Sequence, residues 1–119
     1  MKKVSELELY QVDYLVGKEE FKNDIGTQVY ILNSDNKCYI EFIGCDQEYS
    51  PTTNPSQAWP IIESDDICIE FICSTGENKT WFSKRQFDEY GQYGKTSLEA
   101  AMRCFTCSVY GVEVDINKL

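Results

Sequence analysis

Thr96-Ser97-Leu98-Glu99-Ala100-Ala101-Met102-Arg103-Cys104-Phe105-Thr106-Cys107-Ser108-Val109-Tyr110-Gly111 decides the fold. The first four residues form a capping box, in which a hydroxyl side chain and a carboxylate satisfy each other's free backbone N–H groups. Leu98, Ala101, Met102, Phe105 and Val109 then recur at helical spacing and make one apolar stripe. Glu99 and Arg103 lie four apart on the side away from that stripe and can pair there. Gly111 stands where a glycine ends a helix. Val112-Glu113-Val114 alternates and reads as a short edge strand.

Upstream, Ile67 to Cys73 alternates as a strand, Ser74 to Asn78 is turn chemistry, and Lys79 to Ser83 returns as its partner. A second hairpin joins Gln28-Val29-Tyr30-Ile31-Leu32 to residues 37–43 through Asn33-Ser34-Asp35-Asn36. An amino-terminal helix carries Val12, Leu15 and Val16 on one face. It starts either at the capping box Ser5-Glu6-Leu7-Glu8 or near Tyr10, and Gly17 either weakens its interior or marks its end. These elements predict a single domain over residues 1–119. Its class is two-layer α+β, with an antiparallel sheet of about four to five strands packed by an N-terminal and a C-terminal helix.

Residues 44–60 contain all three prolines and read as one long ordered loop, with Tyr49 and Trp59 near its ends. The loop is the best candidate for a site. Tyr49, Asn54 and Trp59 combine flat apolar faces with hydrogen-bonding groups, as ligand pockets and protein hot spots do. The competing reading makes Trp59 an anchor into the core. Tyr39, Tyr49, Tyr90 and Tyr93 fall in or beside stretches read as exposed. They form either a protein-binding surface or ordinary amphipathic covering. Arg85 and Arg103 are the cations available for a phosphate-bearing ligand.

The formal net charge is −9. Counted by halves, the acidity is spread along the chain rather than held in a tail, and it predicts no direct binding to nucleic acid or to anionic membranes. An acidic face could also compete for the basic surface of a partner. Six cysteines are present. The setting of most of them in apolar runs such as Ile67-Cys68-Ile69, with no signal peptide ahead of them, predicts that most are free thiols buried as small hydrophobes in a reducing cytoplasm. Cys104-Phe105-Thr106-Cys107 lacks the second knuckle of a zinc site and lies too far along its helix for a redox motif. There is no histidine and no phosphate-binding glycine motif. The sequence therefore predicts no enzyme, no catalytic residue, no metal and no cofactor.

Four patches resemble a known family. Ser5-Glu6-Leu7 followed by Val12-Asp13-Tyr14, Val16 and Lys18 is similar to the amino-terminal pattern of NinX-type phage proteins. Asn54-Pro55-Ser56-Gln57-Ala58-Trp59-Pro60-Ile61-Ile62-Glu63 resembles that family's tryptophan–proline–isoleucine–isoleucine–glutamate run. Tyr93 to Phe105 resembles its strongest signature, which ends in Ala100-Ala101-Met102-Arg103. Gly111-Val112-Glu113-Val114 resembles its terminal strand. The chain departs from the pattern at Tyr14, where the family usually has tryptophan, and lacks the glycines that often precede the proline–isoleucine–isoleucine run.

The resemblance implies a phage or prophage protein expressed in the cytoplasm of the bacterial host, and it brings no established activity. Three functions are open. The first is an accessory protein that binds a host protein, such as a host-defence inhibitor, with Tyr49, Asn54, Trp59, Arg85, Tyr93 and Arg103 as contact residues. The second is a binder or sequestering protein for a small nucleotide signal. The third is a metal-dependent hydrolase using clustered carboxylates.

Overall fold

The computed structural model describes residues 1–88 and 91–118. In chain order it contains β1 (Lys2–Lys3), α1 (Leu9–Glu20), β2 (Thr27–Leu32), β3 (Lys37–Phe42), β4 (Cys45–Glu48) and α2 (Pro55–Ser64). After these come β5 (Ile67–Thr75), β6 (Asn78–Arg85), β7 (Gln92–Gly94), α3 (Ser97–Tyr110) and β8 (Glu113–Val114). The class is α+β with antiparallel pairing throughout. Each predicted hairpin gains a third strand, giving separate sheets β2-β3-β4 and β5-β6-β7, while β1 and β8 pair the two ends of the chain.

Helix α3 is the hub. The Glu99 N–H donates to Thr96 Oγ1 at 3.1 Å, which is half of the predicted capping box; the Glu99 carboxylate accepts the Lys95 N–H at 3.2 Å instead of that of Thr96. At the other end Gly111, with φ +91°, donates its N–H to the Cys107 carbonyl at 2.9 Å. Every residue from Ala100 to Thr106 is buried, so the middle of the helix is enclosed on all sides rather than along one stripe. The sheet β5-β6-β7 covers one side and α1, α2 and the amino-terminal segment cover the others. Val109, placed in the stripe by spacing, is 37 % exposed. A Cβ at Gly94 would lie 2.5 Å from the Ala100 backbone nitrogen, so only glycine lets β7 pass this close to α3.

The start of α1 lies at Leu9, with Glu8 and Gln11 forming the capping box in place of Ser5 and Glu8. Ser5 belongs instead to a short 3-10 turn. The helix continues through Gly17 to Glu20. A side chain at Gly17 would meet Val29 Cγ1 at 2.9 Å and the Tyr49 ring at 3.2 Å, so the glycine marks a close crossing, not an end.

Residues 44–60 are not one irregular loop. They form β4, a turn at residues 50–53 and the first part of α2. Pro55 is the first helical residue, where its missing N–H costs nothing. Pro60 sits inside the helix, and burial of Ala58, Ile61 and Ile62 on the opposite side offsets the lost hydrogen bond. The expectation of buried thiols also needs correction: Cys38 and Cys104 are buried, but Cys45, Cys68 and Cys73 are exposed. Among the described residues Cys68 lies with Glu70 on an exposed face of β5, so apolar neighbours in sequence did not bury it.

Candidate functional site

The segment that leads into α2 is held by polar side chains from both of its ends. Asp13, on α1, is only 4 % exposed. Its carboxylate accepts the Thr52 N–H at 2.9 Å and the Thr52 hydroxyl at 3.1 Å. Burial pushes the Asp13 carboxyl up to about 7; the two Thr52 bonds oppose that shift and the charge of Glu48 adds to it. From the other side Gln57 reaches back. The Ser50 N–H donates to its amide oxygen at 2.7 Å, and its amide nitrogen donates to the Glu48 carbonyl at 3.1 Å. The Asn54 side chain accepts the Ser56 N–H at 3.0 Å and the Ser56 hydroxyl at 2.7 Å, capping α2. Among the described residues no buried side-chain polar atom lacks a partner.

This scaffold fixes how α2 is turned. Ala58, Ile61 and Ile62 point into the core, while Pro55, Trp59, Pro60 and Glu63 face solvent. Trp59 is 54 % exposed. It does not anchor the segment to the core; Tyr49 does that, buried edge-on against Phe21 at 5.4 Å between ring centres. Tyr49 is therefore a core residue and not part of an exposed surface. Its hydroxyl is pushed upward, chiefly by burial.

The other expected contact residues separate. Arg103 is buried, because the middle of α3 is enclosed. Its guanidinium donates to the carbonyls of Val4 and of Leu7 (2.9 Å) and pairs with Glu99 at 3.4 Å. It is a structural clamp, buried among these partners rather than presented to a ligand. Arg85 lines a small recess of about 100 Å³ with Asp65 and Asp66. Tyr93 is 59 % exposed and packs its ring 5.0 Å from that of Phe82. Tyr39 is half-buried, stacks on Tyr30 and donates its hydroxyl to Asp35 at 2.8 Å. Tyr90 lies outside the described residues.

Two of the larger recesses were not foreseen. One, of about 360 Å³, lies between α3 and the residues after β6, lined by Phe87, Asp88, Cys104, Cys107 and Val112 among others. Burial raises both thiols, Cys107 to about 11, the opposite of what a redox pair needs. The second, of about 460 Å³, lies between the end of α1 and β2 and carries Lys18 and Lys22. Lys22 already pairs with Glu19, and the Lys18 amine sits 5.8 Å from the centre of the Tyr14 ring. Among the described residues no three His, Cys, Asp or Glu side chains are grouped to hold a metal ion.

Sequence reasoning missed Asp13 and Gln57. Asp13 did leave a signal, since a carboxylate beside Val12 and one turn before Val16 must find a buried partner. Gln57 left none, because its role depends on a turn read as loop.

Comparison with known families agrees with the resemblance in the sequence. The family described as Bacteriophage P22, NinX matches residues 3–108. No curated protein matches the chain.

Proposed function

The chain belongs to the bacteriophage P22 NinX family, and on that premise we propose that it is a non-enzymatic phage accessory protein that binds a host protein through the Trp59 face of α2. One observation carries the reading: the Trp59 indole is 54 % exposed on a helix whose other side is fully packed. Tryptophan is the side chain most enriched at protein hot spots, where a rigid amphipathic ring fills a partner's pocket at low entropic cost. The side chains that position α2 come from α1, the turn before it and α2 itself. Such a preorganised surface loses little freedom on binding.

The working compartment under this reading is the cytoplasm of the bacterial host, and interference with a host-defence or regulatory protein is the role it suits. No helix among the described residues is long and apolar enough to cross a membrane. The test is affinity capture from host lysate with the wild-type chain and with Trp59→Ala. A host protein retained by the first and lost by the second supports the proposal. Equal retention, or none by either, removes it.

A small-ligand reading keeps one support, the recess bearing Lys18 and Lys22. A nucleotide that raises the melting temperature of the wild type, and not that of Lys18→Ala, would favour it.

A further inference from the structure

The Trp59 face lies in an unusually one-sided stretch of the chain. Between Lys37 and Lys79 there is no lysine or arginine, while the same span holds eight of the twenty acidic residues. Glu63 follows Trp59 by one helical turn, so the two share a face, and both are exposed. Asp65 and Asp66 come directly after α2, and its last turn contains no basic residue.

Carboxylates at this end of a helix are unfavourable. The carbonyls there carry partial negative charge and attract cations. Here α1 contributes as well, ending in Glu19 and Glu20. Burial raises Glu20, with Asp65 and Glu19 adding to it. Burial also raises Asp65, with Asp66 and Glu19 adding and Arg85 opposing. Each of these groups feels the next, so the two helix ends form one negative field. Lys22, paired with Glu19, and Arg85, beside Asp65, are the cations that offset it. Among the described residues Glu20, Glu63, Asp65 and Asp66 form no ion pair.

We propose that the partner of the Trp59 face is a basic protein segment, one that seats an apolar or cationic side chain on the indole and sets lysines or arginines against Glu63 and Asp66. This rests on the reading of Trp59 as the contact. Charge complementarity chooses the occupant. A lysine or arginine over the indole gains from its negative face, and the flanking cations gain from carboxylates left without partners. A second copy of the chain brings another −9 and is repelled. Nucleic acid is repelled for the same reason.

The experiment is selection of a random twelve-residue peptide display library on the full chain and, in parallel, on Trp59→Ala. The selected peptides are then measured against Glu63→Gln/Asp66→Asn at low and high salt. Circular dichroism first establishes that both variants fold as the wild type does. The proposal expects binders that need Trp59, carry net positive charge, weaken roughly tenfold from about 50 to 300 mM salt, and lose about three- to tenfold on the double variant. Binders that need Trp59 but are neutral or acidic overturn the basic partner and leave the Trp59 contact standing. Binders indifferent to Trp59, or none at all, overturn both.

Discussion

Asp13 and Arg103 are charged side chains inside the core, and each ties together segments distant in sequence. Asp13 binds Thr52, 39 positions on. Arg103 binds carbonyls 99 and 96 positions back. Arg103→Met would leave the buried Leu7 carbonyl without its donor, the Val4 carbonyl with the Leu7 N–H alone, and the Glu99 carboxylate without its cation. It should cost about 2–4 kcal/mol in urea unfolding, and a loss under about 1 kcal/mol would show that the clamp is weak.

Asp13 gives a pH signature. Its folded pKa of about 7 lies above its ordinary 3.8, so the folded protein holds a proton that the unfolded chain releases. Its contribution to stability is full below about pH 4 and is lost as the pH rises through 7. Asp13→Asn keeps an acceptor for the Thr52 N–H and a donor for its hydroxyl, but does not titrate. Measured by urea unfolding, the variant should gain on the wild type as the pH rises from about 4 to 8, by up to about 4 kcal/mol. Parallel stability profiles would contradict this. The paired reading of Glu99 with Arg103 was legible from their spacing. That the pair is buried was not, because a helical stripe says nothing about what closes over the opposite side.

At the scale of elements, α3 and the two hairpins were legible because capping, period and turn chemistry agreed at each. Helix α2 was not. Three prolines among polar residues signal a loop, and only the local pattern of Asn54 followed by Pro55 marks a capped helix start. The third strands, β4 and β7, are short and polar or glycine-bearing, and tertiary pairing alone makes them strands. Since Asn54 caps the helix that displays Trp59, Asn54→Ala should destabilise the protein by about 0.5–2 kcal/mol. It should also loosen α2 first, seen as amide hydrogen exchange that speeds up more in residues 56–59 than in α3. Unchanged exchange there would separate the cap from the site.

For the whole molecule, the candidate site was half legible. Asn54 and Trp59 belong to the segment the sequence singled out. Tyr49, Arg85, Tyr93 and Arg103 go elsewhere, because exposure and direction are set by packing that one sequence does not display. The acidity counted by halves looked even; between Lys37 and Lys79, the span that contains α2, no lysine or arginine offsets it. The chain thus builds a rigid, packed body and leaves one tryptophan outside it on a negative field.

Whether that tryptophan meets a partner can be measured directly. A photo-crosslinking amino acid is placed at position 59 and, in separate chains, at Ile25, which is fully exposed. Both are irradiated in living host cells. The account predicts one discrete host-protein adduct from position 59 that is missing from position 25. No adduct at position 59, or the same adducts from both, would contradict it.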